Sequence, residues 1–291
     1  AKAAEKDTRL LGAPAVPGYE VLRFCGGGAI GKVYWARETA SGRSVAIKIV
    51  RFKEGKDEEE RLRKLDREIG LLRRLRHKNV VEFLGYGRLE GSVYLLFEYM
   101  PQGGVDRLLE ERGGRIGLGE AAPILLGAAA GVAYAHENGV VHRDLKPANI
   151  LLAGETGRWQ TKVGDLSLAK SFEDAGLSGL TMIGDIGGSY GYMPREQVLS
   201  YRYVRPASDV FSLGATFYVM LTGQVVYDIT GSTSALMMVL EGRIVPIEER
   251  GVTLPAALCR VLNRAIDPDP EKRYADGGAF HRALAEALGS V

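Results

Sequence analysis

Between Gly18 and Val50 apolar and polar positions follow a period of two. "YEVLRFC" alternates, a run of glycines follows, "KVYWARE" alternates again, "TASGR" has the composition of a turn, and "SVAIKIV" is a short apolar run. Successive strand side chains point to opposite faces, so this pattern predicts three strands joined by tight turns. The period then changes. In "DEEERLRKLDREIGLLRRLR", residues 57–76, the apolar positions Leu62, Leu65, Ile69, Leu72 and Leu75 fall on one face of a helix. "VVEFLGYG" and "SVYLLFEYM" predict two further strands. After "PQGG" the texture is helical, at residues 105–112, 119–138, 206–222, 234–241 and 255–287. The pattern predicts an α+β chain: a small sheet with one helix, a hinge-like joint at residues 98–104, then a mainly helical remainder. Residues 1–17, with Pro14 and Pro17, are expected to form a flexible tail that packs little.

Composition narrows the classes. Apolar residues make up 46% of the 291 positions and charged residues 25%, the balance of a globular chain with a sizeable core. The net charge of +2 comes from basic residues interleaved with acids, as in "KEGKDEEERLRKLDRE". That is the solvated side of a helix and argues against a nucleic-acid surface. The least polar run, "AAPILLGAAAGVAYA" at 121–135, is shorter than the roughly 18–20 residues a membrane span needs, so a buried core helix is expected and no membrane segment. The N-terminus does not have the basic-then-apolar layout of a signal peptide. Cys25 and Cys259 are too far apart in sequence to suggest a metal motif or disulfide framework, which points to the reducing cytoplasm. Cys25, beside the glycines, reads as a small strand residue lining a cleft, with a reactive thiol as the alternative.

The glycine run fits two phosphate-binding patterns. Gly26, Gly31 and Lys32 give G-x-x-x-x-G-K; Gly26, Gly28 and Gly31 give G-x-G-x-x-G. The first needs Ser or Thr after the lysine and a following helix, but Val33 and a strand-like segment stand there. A dinucleotide fingerprint needs that helix too. A strand–glycine turn–strand flap remains, whose small residues let backbone approach phosphate oxygens.

Three further motifs follow in order. "VAIK" ends at Lys48, 17 residues after Gly31; "VVHRDLKPANILL" puts Asp144, Lys146 and Asn149 in one loop; "KVGDLSLAK" supplies Asp165. With these the chain resembles the protein kinase superfamily from residue 19 to about 287. "LKPAN" looks like the serine/threonine branch, and "GYMPREQV" and "SDVFSLGATFYVMLTG" look like bacterial, Hanks-type members.

The resemblance implies a bilobal fold. Residues 18–100 would form an N-lobe with a small antiparallel sheet and one key helix, and 101–291 a mainly helical C-lobe, in one catalytic domain at 18–287. It implies a serine/threonine protein kinase using ATP with Mg2+, or Mn2+ in its place, on protein substrates. Lys48 would bind phosphates and pair with Glu68, which matches the family's partner position nine residues before His77. Asp144 would accept the substrate hydroxyl's proton, Lys146 would meet the γ-phosphate, and Asn149 and Asp165 would hold the metal. Gly26, Gly27, Gly28, Gly31, Val33, Ala46 and Leu151 would line the nucleotide. Glu98 and Met100 would meet adenine through backbone groups, with Phe97 behind. Asp106 would touch ribose or start a helix. His142, Leu166, Leu72 and Phe83 fall where the family stacks an apolar spine. Asp209 resembles the buried acid anchoring the catalytic loop, and Glu196 and Arg273 match a family ion pair.

The family's D-F-G is Asp165-Leu166-Ser167 here, and its A-P-E is Pro194-Arg195-Glu196. Ser167 in place of glycine is expected to narrow the conformations of its loop. Between Asp165 and Glu196, Thr181 is the first expected phosphosite and Ser178 the second, with Arg143 as counter-charge. Autophosphorylation there would have a homodimer as its candidate arrangement. The altered motifs leave two alternatives: a pseudokinase serving as a nucleotide-binding or scaffolding module, and a kinase-fold enzyme acting on a small molecule.

Overall fold

The computed structural model describes residues 14–28, 31–51, 69–166, 190–200, 203–228 and 234–289. They fall into two compact units. The first holds the described residues up to 76 together with 81–100; the second holds 77–80 and the described residues from 101 onward.

In the first unit the alternating segments form β1 (Tyr19–Gly28), β2 (Gly31–Glu38), β3 (Ser44–Arg51), β4 (Phe83–Leu89) and β5 (Ser92–Glu98). They make one antiparallel sheet in the order β1-β2-β3-β5-β4. Tyr34, Ala36, Val45, Ile47, Ile49 and Leu96 pack as a core. Val16 is buried with them and Tyr19 N donates to its carbonyl, so the chain packs from Val16 onward, while residues 1–13 of the expected tail lie outside the described residues. The physical reason is that a lone apolar residue beside a strand start finds the open edge of that core. Of the predicted helix at 57–76, residues 69–72 are described as helical, with Ile69 and Leu72 buried as the spacing required.

The second unit begins with residues 77–80. Asn79 donates from Nδ2 to the Thr161 carbonyl (2.8 Å) and accepts from Val163 N (2.9 Å). Val80 bridges Val163, and His77 stacks on Tyr134 at 4.8 Å. A three-stranded sheet of β6 (Gly103–Gly104), β7 (Ile150–Glu155) and β8 (Arg158–Val163) follows. The helices are α1 (Val105–Glu111), α2 (Leu118–Glu137), α3 (Arg195–Leu199), α4 (Pro206–Thr222), α5 (Ala235–Glu241), α6 (Ala256–Ala265) and α7 (Gly277–Gly289). Every residue of α4 after Pro206 is buried, the pattern of a helix enclosed on all sides.

α2 is long and apolar enough to cross a membrane by length and composition. Its apolar residues Ile124, Leu125, Ala128 and Val132 are wholly buried, and it packs on α7, β8 and α4 as a core helix. Gly131 makes this packing possible, because a Cβ there would lie 2.3 Å from the Asn79 carbonyl oxygen. The stretch 255–287 is two helices rather than the single helical run its texture suggested. Pro268 and Pro270 lie between α6 and α7, where proline removes backbone donors and clashes with the preceding turn.

Candidate active site

In the first unit the register places one set of predicted residues on a single face. Val33 pairs with Lys48, Lys48 with Leu95, and Ala46 with both Trp35 and Phe97. Directly opposed residues project to the same side of a sheet, so Val33, Ala46, Lys48 and Phe97 share the face opposite the Ile47 core. Lys48 is buried there, a position costly for an ammonium group without compensation. Glu68, its expected partner, lies outside the described residues.

Gly26, Gly27 and Gly28 end β1 and pair with Val33, Lys32 and Gly31, with a bulge between Phe24 and Gly26. The glycines therefore stand at the end of the β1–β2 ladder, as the flap reading required. At Gly31 a Cβ would come within 2.2 Å of the Ile49 carbonyl oxygen, so no larger residue fits without moving β3. Cys25 is exposed on β1.

β5 ends at Glu98. Its N–H donates to the Glu82 carbonyl (3.0 Å) and its carboxylate accepts from Glu82 N (2.7 Å), which pins the strand end. Met100 is buried two residues on. Phe97 packs edge-on against Phe83 at 5.5 Å.

In the second unit the loop 142–149 gathers around Asp144. Lys146 Nζ lies 3.1 and 3.0 Å from its two carboxylate oxygens. Asn149 Nδ2 donates to the Asp144 carbonyl (2.6 Å) and to Oδ2 (3.0 Å). With Nδ2 turned to Asp144, Oδ1 is the atom of the Asn149 amide that would ligate a cation. Asn149 O in turn accepts from Gly164 N (2.9 Å), which ties Asp165 one residue away from the loop. Leu151 follows on β7, opposite Lys162. Asp144, Lys146, Asn149, Leu151 and Asp165 are thus brought into one local neighbourhood of this unit.

The loop is anchored from below by Asp209 on α4. Its carboxylate accepts from His142 N (2.5 Å) and Arg143 N (2.7 Å), and contacts His136 Nε2 (2.9 Å). Gly277 N donates to His136 Nδ1, so His136 carries its proton on Nε2 and donates to Asp209. The same logic applies to His142: Asp144 N donates to Nδ1, so Nε2–H donates to the Gly164 carbonyl (2.7 Å). These bonds hold Arg143 and Asp165 at φ 69° and 55°, a left-handed conformation that non-glycine residues adopt under constraint. Gln197 Nε2 adds a bond to the Arg143 carbonyl (2.8 Å). His136 and Gln197 escaped sequence reasoning, since nothing in their local pattern marks a partner so far along the chain.

The expected pair of Glu196 and Arg273 is formed, at 2.6 and 3.2 Å. Arg273 also donates to the carbonyls of Asp267, Ala207 and Pro268 and lies over the Phe211 ring. His142, Leu166, Leu72 and Phe83 are each buried. No side-chain cap forms at the start of α1, beside Asp106. Ser167, Ser178 and Thr181 lie outside the described residues.

Asn149 and Asp165 supply hard oxygen donors. Among the described residues no group of three or more His, Cys, Asp or Glu could hold a metal. Two protein oxygens suit a cation that completes its shell with phosphate and water, as magnesium does. The residues fit a divalent metal of that kind.

The sequence pattern described as Protein kinase domain matches residues 19–285. The chain is 30% identical over 276 residues to the serine/threonine-protein kinase PknJ of Mycobacterium tuberculosis, covering 93% of this chain and 45% of that protein. It is 29% identical over 256 residues to the serine/threonine-protein kinase PrkC of Bacillus subtilis, covering 88% and 38%. It therefore spans less than half the length of these relatives. The fold is similar to the crystal structure of the Mycobacterium tuberculosis PknI kinase domain, with a TM-score of 0.67, 23% identity and coverage of 94% of this chain and 98% of that one.

Proposed function

This chain belongs to the protein kinase domain family, and on that premise we propose that it is an ATP-dependent serine/threonine kinase acting on proteins. Members of the family use ATP with a divalent metal; here we assign magnesium, with manganese as a substitute. The observation that carries the reading is the set of bonds around Asp144. Lys146 and Asn149 fix the orientation of its carboxylate, and Asp209 fixes the backbone on which it stands. The Asp144 side chain is still 38% exposed, so a hydroxyl can approach it.

Asp144 orients the attacking Ser or Thr hydroxyl and accepts its proton. Lys146 offsets charge on the transferred phosphoryl group. Lys48 binds phosphate oxygens, and the backbone of Glu98 and Met100 holds adenine. Asn149 and Asp165 hold the metal, which when bound neutralises phosphate charge. Phosphorylation within the segment between Asp165 and Glu196, at Thr181 or Ser178, and pairing of two copies to achieve it, belong to the same proposal.

The test is transfer of labelled phosphate from ATP, with magnesium or manganese, to a generic basic protein. Wild-type protein is expected to label it and itself, and Asp144→Asn to reduce both by at least about a hundredfold. Thermal stabilisation by ATP without any label would instead support a nucleotide-binding scaffold, and label confined to a small metabolite would redirect the assignment.

A further inference from the structure

β5 ends at Glu98, and the chain leaves the sheet ladder there. The next residue, Tyr99, is held by its side chain. Its ring stacks on Trp35 at 5.3 Å with only 13° between the planes. Its hydroxyl accepts from Arg23 Nη2 at 2.9 Å. The Arg23 guanidinium also lies 5.7 Å from the centre of the Trp35 ring, and Trp35 Nε1 donates to Ser44 Oγ at 3.2 Å. Arg23 comes from β1 and Trp35 from β2, so two strands hold the Tyr99 side chain directly, and Ser44 at the start of β3 holds Trp35.

Two further facts give this cluster direction. Tyr99 lies between Glu98 and Met100, whose backbone groups are assigned to adenine above. Arg23 lies three residues before Gly26, at the root of the glycine hairpin, and is the register partner of Trp35. The Arg23–Tyr99 bond therefore links the base of the phosphate-facing turn to the adenine-facing backbone, all within the first unit. A guanidinium donor makes a stronger bond than a neutral one, and stacking on Trp35 restricts both ends.

We propose that Arg23 is a positioning residue for the nucleotide: through Tyr99 and Trp35 it holds the Glu98–Met100 backbone in register with the glycine turn. It touches no reacting atom, so it acts on nucleotide affinity and leaves the chemical step alone. This rests on the kinase reading of the same site.

The experiment is a double-mutant cycle on the full chain with Arg23→Met, Tyr99→Phe and the pair, measuring KM for ATP, kcat and the thermal midpoint. Tyr99→Phe keeps the stack on Trp35 and removes chiefly the hydrogen bond, whereas Arg23→Met removes that bond together with the guanidinium's contact with Trp35. Each single change is expected to raise KM for ATP about three- to tenfold with kcat within about twofold, and the pair no more than Arg23→Met alone. Arg23→Lys, which restores a donor, is expected to recover part of the loss. Unchanged KM in both singles, or effects that simply multiply, would overturn the proposal, as would a fall in the midpoint with KM intact. Absence of ATP turnover in the wild type would strike at the kinase reading instead, so the two failures are told apart.

Discussion

Arg273 shows how much one side chain can be asked to do. Its donors reach Glu196 and three backbone carbonyls, and the side chain is wholly buried. Removing it leaves Glu196 without its counter-charge and takes a donor from three carbonyls. Arg273→Met is expected to cost about 3–5 kcal/mol, read as a lower urea midpoint at unchanged slope. Both partners could be picked from the sequence by their resemblance to a family pair, but Ser208 Oγ, which also donates to Glu196, could not. The same holds around Asp144. Its loop was legible because Asp144, Lys146 and Asn149 are neighbours in sequence. His136 and Gln197 were hidden because the first meets Asp209, and the second the Arg143 carbonyl, only after α2, α3 and α4 have packed. Arg23 and Tyr99 were hidden for the same reason.

At the level of elements, alternation and glycine content were enough to find the strands of the first sheet. A period of two leaves few choices once turns bound it. Helical texture was a poorer guide to helix ends, as the division of 255–287 into α6 and α7 shows; proline chemistry outweighed composition there. The short sheet β6-β7-β8 went unannounced as a sheet because β6 is only Gly103–Gly104 and carries no periodic signal. Close packing of elements also rests on single small residues. Gly131→Ala would push a methyl group into the Asn79 carbonyl and to 2.9 Å from Val163 Cγ2. Although alanine favours helices, the expected outcome is a loss of about 1–3 kcal/mol, visible as a lower thermal midpoint. An unchanged midpoint would mean that α2 shifts freely over β8.

For the molecule as a whole, buried phenols set a limit in alkali. Burial pushes Tyr227 far above the usual phenol range, and its hydroxyl donates to the Met193 carbonyl at 2.7 Å. Tyr192, Tyr218 and Tyr274 are raised too, each chiefly by burial. Unfolded phenols lose their protons near about pH 10 while these folded ones retain them. The unfolded state then binds fewer protons, so stability present below that pH falls as pH rises above it. Urea midpoints measured between pH 8 and 11 should decline above about 10, and Tyr227→Phe should flatten the decline while lowering the neutral midpoint slightly.

Residues 77–80 have a consequence for the order of events during synthesis. They lie between two parts of the first unit, yet Asn79 and Val80 find their partners at Thr161 and Val163. A ribosome delivers all five strands of the first sheet by Glu98, and reaches Val163 only after an interval of order ten seconds at usual elongation speeds. Through that interval the nascent chain carries a short segment whose native neighbours have not yet been made, and a pause between the two codons would lengthen its wait.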